Sequence, residues 1–286
     1  MNKTDILDKI YSSENYKKRV YMKKILILLV LITTAMFAKI DIIVSIIPEK
    51  VFVEAIGGDK VDIEVMVPVG SSPHHYEPLA SQMKNISKAN LYLSIGLEFE
   101  AVWLDKFANQ NKNMRIVNIS KNIPKGNDPH IWVAPNNIKT IAKNILDTLI
   151  EIEPSNSKYF QSNFDRFISK VEDVDKSIKS ILKDVPKGSS FMVFHPSLGH
   201  FALEYNLVQL AIEIDGKSPK PKEMIKLIKR AKKEKIKAIF TSPEFSTKIA
   251  NQIAKELGIK VVKVSPLAID WANNLKKIAK SIANKR

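Results

Sequence analysis

Short apolar runs alternate with amphipathic segments along most of the chain, and this alternation predicts a parallel α/β architecture. Buried strands are predicted at the runs rich in Ile, Val, Leu and Phe: Ile40–Ile47, Val61–Val67, Leu91–Ser94, Ile116–Ile119, Phe191–Phe194, Val208–Ile212, Ala238–Thr241 and Val261–Val264. Helices are predicted between them at Val51–Ile56, Ser81–Lys88, Leu104–Asn109, His200–Tyr205, Met224–Lys233, Lys248–Leu257 and Trp271–Ala283. The repetition of this pattern in both halves predicts two similar lobes.

One longer segment, Pro154–Val185, separates the two halves and has the apolar period of a single helix. Its apolar residues recur at intervals of three and four: Phe160, Phe164, Phe167, Ile168, Val171, Val174, Ile178, Ile181 and Leu182. A helix of this length spans roughly 40 Å, enough to connect two lobes. A coiled-coil seam is the alternative, although the stripe is short and aromatic for strict heptads. The predicted organisation is a lobe at 39–153, a rigid connecting helix at 154–185 and a second lobe at 186–286.

The segment 1–38 is interpreted as an N-terminal extension plus a signal peptide. Met22-Lys23-Lys24 is basic, the run Ile25–Ala38 is apolar, and Ala38 is a small residue at its end. The run is shorter than the ~20 residues that span a bilayer, so a cleavable signal fits it better. We therefore expect translation to start at Met22, export to the periplasm, and a mature chain beginning near Lys39.

Charge and cysteine content narrow the choice of function. The 286 residues carry a formal net charge of +15, mostly from lysines on amphipathic helices, without a familiar nucleic-acid motif. A solvated surface explains this excess better than a nucleic-acid partner. The sequence contains no cysteine, which excludes disulfides, thiolate ligands and cysteine nucleophiles. A transition-metal site would have to use His, Asp and Glu.

The five histidines lie at loops or strand ends, beside proline, glycine or another histidine: His74, His75, His130, His195 and His200. In an open parallel sheet, ligands bind beyond the carboxyl ends of the strands. His74 and His195 follow predicted strands, and His130 follows a Gly-Asn-Asp-Pro loop. A lone loop histidine is more often structural, but three of them on two lobes favour convergence on one ion such as Zn²⁺.

Two of the histidines are less suitable as ligands. Neighbouring residues on an extended loop point to opposite sides, so His74 and His75 rarely bind one ion together. His195 and His200 are five residues apart and diverge on a helix. His75 and His200 are therefore interpreted as surface residues or as residues that support the ligands.

Three motifs in this chain resemble those of the zinc/manganese solute-binding proteins of ABC importers, of the high-affinity zinc uptake type. The motifs are Pro73-His74-His75-Tyr76-Glu77-Pro78, Asp128-Pro129-His130-Ile131-Trp132 and Phe194-His195-Pro196-Ser197-Leu198-Gly199-His200-Phe201. Segments 212–219 and 242–246 also look like the C-terminal lobe of that family. The resemblance runs in order from Ile40 to the C-terminus.

The resemblance implies two α/β lobes, a long rigid connecting helix and a metal site in the cleft between the lobes. It implies metal ligands at His74, His130 and His195, no catalysis, and delivery of Zn²⁺ by a periplasmic monomer to an inner-membrane permease. Relatives often place a carboxylate where this chain has Ser265, so water, Ser265, Asp215, Glu244 or Asp270 remain candidates for the fourth ligand. The His-rich acidic loop of many relatives, expected near 121–127, is missing.

Other functions remain open at this point. Mn²⁺ or Fe²⁺ could be the cargo of the same type of importer. Three histidines with an open position also describe a catalytic zinc site, for which Glu77 could serve as the base. A surface adhesin is a third class, since some relatives are named in that way.

Overall fold

A computed structural model describes residues 39–124, 126, 128–213 and 217–283, together with 18 and 21–23. The chain divides into two units, Met1–Ile40 and Asp41–Arg286. The predicted signal segment Ile25–Ala38 and the expected start at Met22 concern a region that lies almost wholly outside the described residues. Within the part of the chain that is described, no helix is long and apolar enough to cross a membrane.

Each half of the chain builds a four-stranded sheet with the same strand order. The first sheet has the order β2-β1-β3-β4, with β1 at Ile40–Val44, β2 at Val61–Val65, β3 at Leu91–Ser94 and β4 at Arg115–Asn118. The second has the order β6-β5-β7-β8, with β5 at Ser190–Val193, β6 at Val208–Ala211, β7 at Ala238–Thr241 and β8 at Lys260–Lys263. The pairs β1–β3, β3–β4, β5–β6, β5–β7 and β7–β8 are parallel. The predicted α/β fold with two similar lobes is confirmed.

Nine helices connect the described strands: α1 (Ile47–Gly57), α2 (Ala80–Ile86), α3 (Glu98–Gln110), α4 (Pro135–Ile152), α5 (Ser157–Leu182), α6 (Gly199–Glu204), α7 (Pro221–Lys233), α8 (Lys248–Leu257) and α9 (Trp271–Ile282). The long helix is present as α5, with 26 residues, after a short 3-10 turn at Pro154–Asn156. Its buried stripe packs against α1 and α4 of the first half and against α9 of the second. At 1.5 Å per residue, α5 is about 39 Å long.

Several element bounds differ from the sequence-based expectation, and α1, α3 and α7 begin three to six residues earlier than predicted. The first strand ends at Val44 rather than Ile47, because Pro48 near the start of α1 fixes a helical φ and Glu49 accepts the main-chain N–H groups of Ser45 and Ile46. Helix α4 was not predicted. It begins with Pro135 and buries apolar residues at helical spacing, including Ile138, Ile141, Ala142, Ile145 and Leu149. The helical spacing of its apolar residues is visible in the sequence.

Candidate metal centre

His74 lies in the loop between β2 and α2, and hydrogen bonds fix that loop at its C-terminal part. The Tyr76 hydroxyl donates to Gln82 Oε1 at 2.7 Å, and Leu79 N–H donates to the same oxygen at 3.0 Å. The Gln82 amide in turn donates to the Met66 carbonyl at 2.6 Å. Tyr76 of the first motif therefore holds the loop that carries His74 against α2 and, through Gln82, against the end of β2.

His130 follows β4 and is buried at 4% exposure. Asp128 Oδ1 accepts hydrogen bonds from the His130 main-chain N–H at 3.0 Å and from His130 Nδ1 at 2.7 Å. The next turn is a 3-10 helix at Ile131–Val133, in which Trp132 Nε1 donates to the Pro266 carbonyl at 2.8 Å. This motif therefore fixes the ring of His130 and joins its loop to the other lobe.

His195 comes two residues after β5, where the strand order of the second sheet reverses. Its ring stacks on Phe245 with centroids 4.6 Å apart, and its Nδ1 donates to Glu213 Oε2 at 2.6 Å. Glu213 N–H donates to the Phe194 carbonyl at 2.9 Å, so the chain after β6 holds the carboxylate beside the histidine. The Glu213 side chain is only 9% exposed.

The three predicted histidines converge across the cleft between the two lobes. Ligand atoms of His74, His130 and His195 all lie within 4.8 Å of one another. The Nε2 atoms of His74 and His195 are 3.0 Å apart, and the ring centroid of His130 lies 5.8 Å and 5.3 Å from theirs. Beside them is a cavity of about 1060 Å³ that residues of both lobes line.

Each of the three rings has a carboxylate at its Nδ1 atom. The partners are Asp128 for His130, Glu213 for His195, and Glu98 for His74 at 3.2 Å. A carboxylate that accepts from one imidazole nitrogen leaves the other nitrogen as the metal ligand and makes it more basic. None of these three carboxylates was predicted from the sequence. Asp128 lies inside a motif and could have been found, whereas no local signal relates Glu98 to His74.

The turn that presents Glu98 is fixed by a buried glutamate. Glu100 accepts hydrogen bonds from the main-chain N–H groups of Ile95, Gly96 and Leu97, and it also accepts from the Ser45 hydroxyl. Burial raises the pKa of Glu100. The start of α3, and with it Glu98, is therefore set by the core of the first lobe.

The pKa values of His74 and His195 are shifted in opposite directions. The hydrogen bond with Glu98 raises the pKa of His74 and lowers that of Glu98. Burial lowers the pKa of His195, and it outweighs the hydrogen bond with Glu213. Burial opposes ionisation of Asp128, yet the hydrogen bond and charge of His130 leave the pKa of Asp128 below its usual value.

The other two histidines occupy different positions. His75 is exposed, with its ring centroid 6.4 Å from that of His74. His200 Nε2 donates to the Asp128 carbonyl at 2.9 Å, and its Nδ1 lies 3.3 Å from the Asn137 amide nitrogen. Because both nitrogens of His200 are engaged, this residue supports the Asp128 loop and offers no lone pair to an ion.

The candidates for a fourth ligand also differ in position. Asp270 is exposed and caps α9, where it accepts from Asn273 at 3.2 Å and 2.7 Å. Ser265 Oγ donates to Glu244 Oε1 at 3.3 Å and accepts from Leu267 N–H at 3.0 Å. Glu244 lines a small cavity together with the three histidines. Asp215 lies outside the described residues.

Comparison with known proteins identifies the family. The profile of the family described as zinc-uptake complex component A, periplasmic, matches residues 42–285. The chain is 28% identical to the zinc-binding protein AdcA of Streptococcus pyogenes serotype M3 over 262 residues, which cover 80% of this chain and 50% of AdcA. The chain thus spans about half the length of that relative.

Solved structures agree with the sequence comparison. The chain is similar to a crystal structure of ZnuA, with 40% identity, a TM-score of 0.83, and coverage of 86% of this chain and 99% of ZnuA. A zinc-bound deletion mutant of ZnuA is also 40% identical, with a TM-score of 0.81 and coverage of 86% and 97%. The family is one of metal-uptake binding proteins and not of enzymes, which argues against a zinc-dependent hydrolase. The chain belongs to the family of periplasmic zinc-uptake complex component A.

Proposed function

We propose that this chain captures Zn²⁺ between its two lobes through His74, His130 and His195, and delivers it to an ABC-transporter permease. The observation that carries the proposal is the arrangement of the three rings. Their ligand atoms lie within 4.8 Å of one another, and each Nδ1 is next to a carboxylate. This arrangement supports a metal site because a carboxylate at Nδ1 leaves the Nε2 atom of each ring as the nitrogen that can bind a metal.

The donor set favours zinc over manganese. Neutral imidazole suits Zn²⁺ in a four-coordinate site, whereas Mn²⁺ prefers carboxylate, carbonyl and water oxygens. Three imidazoles bring no charge of their own to the ion. The carboxylates of Glu98, Asp128 and Glu213 lie behind the rings and compensate the charge of a divalent ion without displacing nitrogen from it.

Glu244 is the best-supported protein candidate for the fourth position. Its Oε2 atom is buried and has no hydrogen-bond partner among the described residues, while Oε1 accepts from Ser265. A buried carboxylate oxygen without a partner is costly, and a bound cation would satisfy it. Because Glu244 lines the same small cavity as the three histidines, a change of its side-chain rotamer could bring that oxygen to the ion. Water is the alternative fourth ligand.

The proposed export, location and permease partner rest on the family to which the chain belongs. Its description as a periplasmic component of zinc uptake supports export, a location in the periplasm and delivery to an inner-membrane permease. Export would use the segment Ile25–Ala38 as a cleavable signal. The protein would act as a monomer, since both lobes of the cleft come from one chain.

Calorimetric titration of the metal-free protein with Zn²⁺ and Mn²⁺ tests the proposal. We expect one Zn²⁺ per chain and tighter binding of Zn²⁺ than of Mn²⁺. Ser265→Asp adds a charged oxygen beside Glu244 and should narrow the gap in affinity between the two metals. Ser180→Asp adds the same charge at an exposed position of α5 that does not line the cleft, and it serves as the control. Preference of the wild type for Mn²⁺, or for Fe²⁺ under anaerobic conditions, would contradict the assignment of zinc as cargo.

A further inference from the structure

More than half of the net positive charge of the chain lies in one short segment. Residues 217–237 contain ten lysine and arginine residues and two glutamates, a net charge of +8, compared with +15 for the whole chain. Most of this segment is α7, Pro221–Lys233, on the C-terminal lobe. The charge is therefore concentrated on one element, and α7 does not contribute to the metal site.

Helix α7 has two distinct faces. Its inner face, formed by Met224, Ile228 and Ala231, packs on the core of the second lobe. On the opposite side lie four exposed lysines at positions i, i+4, i+7 and i+11, which we call the lysine ridge: Lys222, Lys226, Lys229 and Lys233. At 3.6 residues per turn these four side chains fall within an arc of roughly 60° along about 16 Å of helix.

Nearby acidic groups are paired with other residues. Glu234 accepts from Arg230 at 2.8 Å, Glu256 lies 3.3 Å from Lys232, and Glu223 accepts from the Lys220 main-chain N–H at 2.6 Å. Across the described part of the chain, no carboxylate lies within 4 Å of a lysine of the ridge. Ile225, beside the ridge, is 55% exposed. Among the described residues, the ridge is therefore a straight row of cations without a carboxylate in ion-pair contact, next to an apolar side chain.

We propose that the lysine ridge docks on an anionic phospholipid surface. Lysine side chains near a membrane surface attract acidic headgroups, and an exposed apolar side chain such as Ile225 can enter the headgroup region. Protein interfaces are instead enriched in Tyr, Trp and Arg and depleted in Lys, and the ridge contains no aromatic residue and no arginine. A convex row of flexible cations fits a flat anionic surface. Docking of this kind keeps the protein close to the membrane in which an importer would lie.

The experiment is co-sedimentation of the metal-free mature chain, which begins at Lys39 and lacks the apolar run Ile25–Ala38, with phospholipid vesicles. The vesicles are phosphatidylcholine alone or phosphatidylcholine with about 30% phosphatidylglycerol, an anionic lipid. The ridge variant replaces Lys222, Lys226, Lys229 and Lys233 by Gln. A control variant replaces four exposed lysines elsewhere by Gln and loses the same charge: Lys84, Lys88, Lys121 and Lys158.

We expect the wild type and the control variant to bind the anionic vesicles and not the neutral ones. Binding should fall at least about tenfold in the ridge variant, and about 0.5 M NaCl should abolish it. An equal loss in both variants would overturn the proposal, because net charge rather than the ridge would then be responsible. Absence of binding to anionic vesicles would also overturn the proposal. Equal binding to polyglutamate at matched charge concentration would overturn it as well, because it would indicate an acidic protein partner. Circular dichroism and zinc titration of each variant would show that the fold and the metal site are intact.

Discussion

The Nε2 atoms of His74 and His195 lie 3.0 Å apart, although the two residues follow strands of different sheets. Because each Nδ1 faces a carboxylate, a hydrogen bond between these two Nε2 atoms requires that one of the two rings is protonated. Two imidazoles bound to one tetrahedral zinc, at about 2.05 Å each, would have their nitrogens roughly 3.3 Å apart. Exchange of the shared hydrogen for Zn²⁺ therefore requires only a small separation of the rings.

The first prediction ranks the histidines. Replacing His74, His130 or His195 by Ala removes a metal ligand and should lower zinc affinity at least about 100-fold. This loss is at least as large as the roughly 10- to 100-fold loss that follows removal of a residue hydrogen-bonded to a ligand. His75→Ala is the matched control, because this neighbour of His74 is exposed and should leave affinity within about threefold. Competition with a fluorescent chelator measures all four variants. Equal losses for His74→Ala and His75→Ala would show that the first motif supplies its second histidine, or both.

The second prediction concerns the carboxylates behind the rings. Glu213→Gln should lower zinc affinity by roughly 10- to 100-fold, because Glu213 is 9% exposed and its contact with His195 is shielded from water. Glu98→Gln should cost less, since the Glu98 side chain is 52% exposed. Glu54→Gln, at 53% exposure and away from the histidines, is the control. A larger loss for Glu98→Gln than for Glu213→Gln would argue against burial as the deciding factor.

The third prediction concerns pH. A histidine must be neutral to bind metal, and the hydrogen bond with Glu98 raises the pKa of His74. Protons therefore compete with zinc at His74 already above its ordinary pKa of about 6.5, and affinity should decrease as the pH falls through this raised value. His195 has a lowered pKa and stays neutral further into the acid range.

Glu98→Gln isolates this effect, because it removes the charge that stabilises protonated His74. The pH at which affinity begins to fall should move to a lower value in Glu98→Gln, even though affinity near pH 8 is reduced. Chelator competition from about pH 8 to pH 5 gives both quantities. An unchanged or higher midpoint would show that Glu98 does not set the protonation of the site.

The fourth prediction tests the close approach of the two lobes at Gly199. A Cβ atom added at this position would clash with Asp128 Oδ2, so Gly199→Ala has to displace the carboxylate that orients His130. We expect zinc affinity to fall by roughly tenfold, as is typical when a residue that hydrogen-bonds a metal ligand is lost. Leu203→Ala on the same helix is the control, because Leu203 is 78% exposed. Wild-type affinity in Gly199→Ala would mean that Asp128 can move without consequence for His130.

Much of this architecture could be predicted from the sequence, because its signals are local. The apolar stripe of α5 is visible in the spacing from Phe160 to Leu182, and the two-lobe α/β fold follows from repeated strand–helix alternation. The convergence of the histidines was predicted from their positions after strands and from the motifs. Their role as ligands and the lobe boundaries at 153 and 186 remain predictions.

The parts that the sequence could not provide depend on distant contacts. Glu98 meets His74, Glu213 meets His195 and Trp132 meets Pro266 across 24, 18 and 134 positions of the chain. A single sequence contains no periodic pattern that shows which distant residues are in contact. The position of Glu244 beside the histidines depends in the same way on how the two sheets approach each other.

The central claim is that three imidazoles from two lobes hold one zinc ion, and X-ray absorption at the zinc edge tests it most directly. The spectrum of protein loaded with one equivalent should show three imidazole nitrogens at about 2.0–2.1 Å and one oxygen. Glu244→Gln tests the source of that oxygen, because loss of a carboxylate ligand should change the oxygen shell while leaving three imidazoles in place. Two or fewer imidazoles, or a six-coordinate shell dominated by oxygen, would contradict this account.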